Sequence, residues 1–362
     1  MRRDSLLLAA LALVGAASSL NAAEKLGLKK GDVKLQSAGP LAFGPDSVLL
    51  IADPKAATVY AIDTQDGVGK RPFAEVKATG LEKQAQALAG DGAKVVDLAV
   101  NPLSGSVFVS ISGSHPTIAK LTDGKLVKVA LEGVANSSAK IPNAPEDKDV
   151  TTNGRTRNPR NDSITDLAFV DGQVIASGLV AADSKNASTV QAMPFPFGQK
   201  TDVAGLEIYH AAHGKLEDYA PIRAFIPFNI GGQPHLLAGF QCTPLVKFPL
   251  SSVDDGQKIK GTTVAELGNR NQPLDMVAYE KDGEMFLLVA NSARGVMKVS
   301  TKDLDKNPGL TEPVKGGGTA GQSFEKIDEL TGVVQLDKLD DARAIVVIDT
   351  QGELALKTIA LP

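Results

Sequence analysis

The sequence predicts an all-β fold, a β-propeller of six blades with seven as the alternative, and three observations carry that expectation. Helical periodicity is almost absent beyond the first two dozen positions, while short alternating or wholly apolar runs bounded by Gly, Pro, Asp and Asn recur to the C-terminus, the pattern of strands and turns. One hairpin unit repeats: an apolar strand opened by Asp or Pro, a turn, then a second apolar strand. The copies recur every 50 to 70 residues or so, roughly a blade with long loops. Radial stacking buries both apolar faces of each small sheet and leaves only short edges exposed.

The copies follow in order. The first comprises residues 40–43, a turn at Gly44, Pro45 and Asp46, then 48–53 and 58–62. The second runs through 97–100, 107–111 and 117–121, with 126–131 as its fourth strand. The third holds 166–169 and 174–177, with 205–210 returning after a long excursion. A degenerate copy holds 222–226 and 235–238, and a clear one follows at 275–278, 285–290 and 295–299. The last comprises 332–336, 344–348 and 353–359. Residues 33–36 are expected to add the outer strand of the last blade, so that N- and C-terminal strands pair and close the ring. Two stretches interrupt the rhythm of this single domain: a polar insertion, 136–162, and a loop, 187–202, that carries Met193, Pro194, Phe195, Pro196 and Phe197.

The N-terminus reads as an export leader. Arg2 and Arg3 precede an apolar run, residues 6–17, of signal-peptide length, and small residues follow it. Cleavage after Ala22 separates a leader, 1–22, from a mature chain, 23–362, placed in the periplasm or secreted. The run is too short to span a bilayer and no later stretch approaches that length, so no integral membrane segment is expected. Cys242 is the single cysteine, which excludes an intramolecular disulfide. A net charge of −4 without a basic block, and 4% aromatic residues, argue against nucleic acid as a partner. The expectation is a monomer that binds a protein or a small-molecule ligand.

Candidate chemistry follows from propeller geometry. Inner strands begin at one mouth of the channel, and second strands end on the same face. Asp97, Asp166 and Asp275 open inner strands; Asp53 and Asn291 close second strands. Such oxygens, gathered from several blades, suit Ca²⁺ or another divalent cation. Alternatively, each Asp accepts hydrogen bonds from backbone amides of its own entry loop. His210 and His213 form a second candidate pair: in a strand they face opposite ways, but a turn at 211–214 would bring them together. No Cys-x-x-Cys-His or Gly-x-Ser-x-Gly is present, nor a glycine-rich phosphate loop leading into a helix; the glycines at 316–318, followed by Thr319, Ala320 and Gly321, read as a flexible connection.

The unit seen at 40–53 and 273–299 resembles the NHL, SMP-30/gluconolactonase and YVTN class of bacterial propellers. The resemblance implies a propeller fold and two kinds of function. NHL and YVTN members are mostly binding or surface modules. SMP-30 members hydrolyse lactones with a divalent metal held by a Glu on the first inner strand and by Asn and Asp of later blades. Asn291 and Asp275 match the later ligands, whereas the first position falls at 38–40, which holds no carboxylate. The two functions that remain are a non-enzymatic binding module and a metal-dependent hydrolase or lyase acting at the channel mouth.

Overall fold

The computed structural model describes residues 24–67, 74–152, 154–182, 186–254, 256–316 and 318–362; the expected leader, 1–22, lies outside them. Six antiparallel sheets form the blades, numbered here in chain order. From the axis outward, blade 1 holds Leu41–Phe43, Val48–Asp53, Thr58–Asp63 and Val134–Lys140, with Lys29–Gly31 beyond. Blade 2 holds Lys94–Val100, Val107–Ser112, Thr117–Thr122 and Lys125–Lys128. Blade 3 holds Asp166–Val170, Gln173–Ala181, Asn186–Pro194 and Asp202–His210, and the hairpin strand Lys215–Glu217 and the parallel strand Lys258–Lys260 both pair with its outer strand. Blade 4 holds Ile222–Ile230, Gln233–Phe240, Pro244–Pro249 and Thr262–Leu267, with Thr319–Gly321 beyond. Blade 5 holds Pro273–Lys281, Glu284–Asn291, Gly295–Ser300 and Phe324–Ile327. Blade 6 holds Val333–Lys338, Arg343–Thr350, Glu353–Ala360 and, outermost, Lys77–Thr79.

The apolar side chains of these strands collect into six clusters, each shared by two blades, and together they give the order round the ring. Leu49 and Ile51 of blade 1 pack on Phe108 and Ile118 of blade 2. On its other face, blade 1 packs Leu50 and Val59 on Val174 and Met193 of blade 3. The remaining clusters join blades 3 and 4, 4 and 5, 5 and 6, and 6 and 2. Blade 2 thus sits between blades 6 and 1, and the ring runs 1, 3, 4, 5, 6, 2. The chain reaches this arrangement through two excursions. After blade 1 it passes to the edge of blade 6, where Lys77–Thr79 pairs with Glu353–Ala360. A helix, Leu81–Ala89, then buries Leu81, Ala85 and Ala89, spaced to share one face, against blades 6 and 2. After blade 2 the chain returns to blade 1 as its outer strand, Val134–Lys140.

Three expectations are corrected here. Ring closure uses Lys77–Thr79 rather than residues 33–36, because the amides of Gln36 and Ser37 turn to the carboxylate of Asp53 instead of a strand partner. The loop assigned to 187–202 is strand as far as Pro194, paired on both sides. Buried Ser188, Thr189 and Gln191 hide its apolar signal, and 202–210 becomes the fourth strand of the blade. Phe195 and Phe197 stack edge-on in a chain with Phe169, over the joint between blades 1 and 3. In the polar insertion, 136–162, the first residues belong to a blade, and a small hairpin, Val150–Thr152 with Arg155–Arg157, follows.

Candidate functional site: an acid-lined axial channel

The inner strands enclose a channel of about 950 Å³ lined by residues of all six blades. Near their starts, the inner strands of blades 2, 4, 5 and 6 carry a register shift, at Val95/Asp97, Ile222/Ala224, Pro273/Asp275 and Val333/Gln335. A bulge of this kind re-aims the side chain that follows it. Asp97 and Asp275 are those side chains in blades 2 and 5, and Asp166 opens the inner strand of blade 3. The three aspartates singled out from the sequence therefore converge on one channel.

Each of these carboxylates is held the same way. One oxygen accepts the next amide of its own strand: Leu98 on Asp97, Leu167 on Asp166 and Met276 on Asp275, each at 2.8 Å. The other oxygen reaches the inner strand of a neighbouring blade. Asp97 accepts from Leu41 at 2.7 Å, Asp166 from Phe225 at 2.6 Å and Asp275 from Leu336 at 2.8 Å. Inner strands of adjacent blades share no ladder, so these bonds pin blade to blade at the axis.

A fourth acid belongs to the set. Blade 6 has Gln335 at the position after the bulge, and its amide donates to the Val96 carbonyl. Asp337, two residues on and so on the same face of the strand, takes over the bridging role. It accepts from Lys338 and, on blade 2, from Val100, both at 2.7 Å. The sequence signal for Asp337 is weak, because it lies at the end of its strand rather than at the start.

Electrostatics follow from the enclosure. Burial pushes Asp97 up to about 7 against the pull of its two amides, and the nearby charge of Asp337 adds to the rise. Burial likewise raises Asp337 to about 6 and holds Asp166 and Asp275 well above the ordinary carboxylate range. Asp166 and Asp275 are raised further by the charge of Asp97. Among the described residues that line the channel are seven aspartates and two cations, Arg223 and Lys338. Arg223 is paired with Asp162 at 2.8 Å, and Lys338 with Asp341 at 2.7 Å.

The other residues drawn from the sequence do not line the channel. Asn291 is buried at the end of its strand, accepting from Asn271 and donating to the carbonyls of Val289 and Gly295. Asp53 is fully buried and accepts from Gln36, Ser37 and Ala56, which anchors the N-terminal segment to blade 1. Neither is among the residues lining the channel. His210 and His213 do come together: the turn between Asp202–His210 and Lys215–Glu217 stacks their rings with centroids 3.7 Å apart, on the outer edge of blade 3.

These features define the class, a six-bladed β-propeller with an acid-lined axial channel. No family model and no curated protein matches the chain. Among solved structures, a PQQ-bound aldose sugar dehydrogenase from Streptomyces coelicolor is 12% identical, with a TM-score of 0.38 and coverage of 92% of this chain and 97% of that one. A structure described as a putative gluconolactonase is 9% identical, at 0.31, with 92% and 93% covered. The extracellular region of plexin A4 is 8% identical, at 0.41, with 92% and 40% covered. Likeness at this level carries no argument about chemistry, and the fold rests on the blades described above.

Proposed function

We propose that the chain is an exported, non-enzymatic binding module that takes a small cation-bearing ligand, such as Ca²⁺ or a compact diamine, in the axial channel. The observation that carries this reading is the set of four inner-strand carboxyls lining one channel in which acids outnumber cations. Clefts lined by one sign of charge concentrate counter-ions. The four carboxyls keep lone pairs beyond those spent on amides, so a cation finds acceptors already fixed in place. The leader-like N-terminus and the resemblance to NHL and YVTN modules agree with an exported binding role. Isothermal titration of the mature protein with CaCl₂, and separately with 1,4-diaminobutane, tests it. Binding is expected to tighten from pH 6 to pH 8, because a bound cation favours the ionised acids and displaces the proton held by Asp97. The Asp97→Asn, Asp275→Asn double variant should weaken binding at least tenfold. Absence of binding by both probes would overturn the reading.

A second reading, a metal-dependent hydrolase or lyase of the lactonase kind, is favoured by the same Asp97, since a carboxyl titrating at about 7 suits proton transfer near neutrality. Hydrolysis of simple γ- and δ-lactones that is metal-dependent and lost in Asp97→Asn would replace the first reading with this one.

A further inference from the structure

On the outer edge of blade 3, far along the chain from the acids of the channel, two histidines and a glutamate meet. The strand Asp202–His210 ends in His210, and Lys215–Glu217 folds back on it with His210 opposite Lys215 and Ile208 opposite Glu217. Glu217 lies between the two rings. Its Oε2 is 2.9 Å from His210 Nδ1, and its Oε1 is 2.8 Å from His213 Nδ1. His210 and Glu217 are buried, while the side chain of His213 is 42% exposed, so the cluster opens to solvent on one side. One donor atom from each of the three lies within 4.8 Å of the other two.

Besides the two rings, Glu217 accepts the Tyr219 hydroxyl on Oε1 at 3.0 Å. Two polar atoms nearby are left unsatisfied. His210 Nε2 is buried without a partner, and so is Oε2 of Glu266, whose Oε1 accepts the amide of Ala212 in the same turn. An unmade bond at a buried polar atom costs about 1–3 kcal/mol, so such atoms ask for an occupant or a different protonation state.

We propose that His210, His213 and Glu217 form a binding site for a divalent transition metal of the zinc class. Two imidazoles and a carboxylate are the donor set that zinc accepts, with ligands at about 2.0–2.2 Å and a fourth position left open for water. Hard cations such as Ca²⁺ take oxygen donors instead and are not expected here. Donors within 4.8 Å of one another need only small rotations of exposed His213 to close on a tetrahedral centre. The metal takes the place of the two ring protons now shared with Glu217, each ring keeping its proton by moving it to Nε2, and Nδ1 of each ring becomes a ligand. The proton of His210 then resides on Nε2, which turns a buried acceptor without a donor into a donor. Glu266, on the blade 4 side, offers its unpartnered oxygen. Lys215, 3.4 Å from Oε1 of Glu217 and largely exposed, swings into solvent as the metal enters. Loaded, the site ties the 211–214 turn of blade 3 to the strand Thr262–Leu267 of blade 4.

The test uses mature, untagged protein stripped with a chelator and then titrated with ZnCl₂, with CaCl₂ in parallel, and separately loaded with Co²⁺. The expected result is one Zn²⁺ per chain with a Kd below about 10 μM, a raised Tm with Zn²⁺ but not Ca²⁺, and the visible bands of tetrahedral Co²⁺. His213→Ala, at an exposed position, should fold normally and lose at least 100-fold in Zn²⁺ affinity, whereas Asp275→Asn in the channel should leave it unchanged. No Zn²⁺ binding by folded wild-type protein, or binding that survives in His213→Ala, would overturn the proposal.

Discussion

Asp97 keeps a proton at a pH where a free aspartate has lost it, and this makes stability a function of pH in a definite direction. An unfolded carboxyl titrates near 4. In the fold, burial raises Asp97 to about 7 and Asp337 to about 6. The folded chain therefore binds more protons than the unfolded chain between those values, and stability falls as pH rises from about 4 through 7. Glu217 acts oppositely: its two histidines hold it at about 2 against the effect of burial, so its contribution is present above the ordinary carboxylate range and is lost as pH falls towards 2. Urea unfolding should show maximal stability near pH 5 and a lower value at pH 7.5, and Asp97→Asn should flatten the slope between pH 5 and 7.5. A wild-type stability that rises over that interval would contradict this account. The three aspartates near the starts of inner strands were legible because each precedes an apolar run at the same point of a repeat. Asp337 was not, since a bulge and Gln335 displace its role by two positions. That Asn291 sits behind the channel wall rather than in it was equally hidden, because the amide contacts that hold it come from Asn271 and from its own hairpin.

At the scale of elements, blade strands were read correctly wherever apolar residues run unbroken, as in Val48–Asp53 and Val107–Ser112, whose residues are almost all buried. The sequence pattern fails where burial is polar, as in Asn186–Pro194, or where a strand is only three residues long and belongs to a distant sheet, as in Lys77–Thr79. The helix Leu81–Ala89 escapes notice because its buried face is one leucine and two alanines. That face is nevertheless a wedge between blades 6 and 2, with Leu81 fully buried beside Leu356 and Leu126 in one cluster. Leu81→Ala should cost about 2–5 kcal/mol, the range for a buried leucine truncated in a core. Chemical denaturation measures this directly, and a loss under 1 kcal/mol would mean that the wedge does not hold the joint.

For the whole molecule, the number of blades was legible from the repeats, but their order round the axis was not, since period says nothing about which sheets become neighbours. The ring order 1, 3, 4, 5, 6, 2 leaves the outer edge of the last blade to be completed by residues 77–79. A chain truncated after residue 331 loses the partner of that strand and one wall of the helix together. It should fail to fold cooperatively, with a broad thermal transition and rapid proteolysis, rather than persist as a five-bladed body. The axial bridges add a mechanical consequence. They run in one rotational sense and pin four joints: blade 5 to 6, 6 to 2, 2 to 1, and 3 to 4. Among the described residues, no aspartate bridges the inner strands of blades 1 and 3 or of blades 4 and 5; loop bonds cross those joints instead, Ser163 to the Pro54 carbonyl and Cys242 to the Asn271 carbonyl. The axial bridges thus divide the ring into two arcs, one of four blades and one of two, so that strain on the bore is expected to fall first on the two seams that lack them.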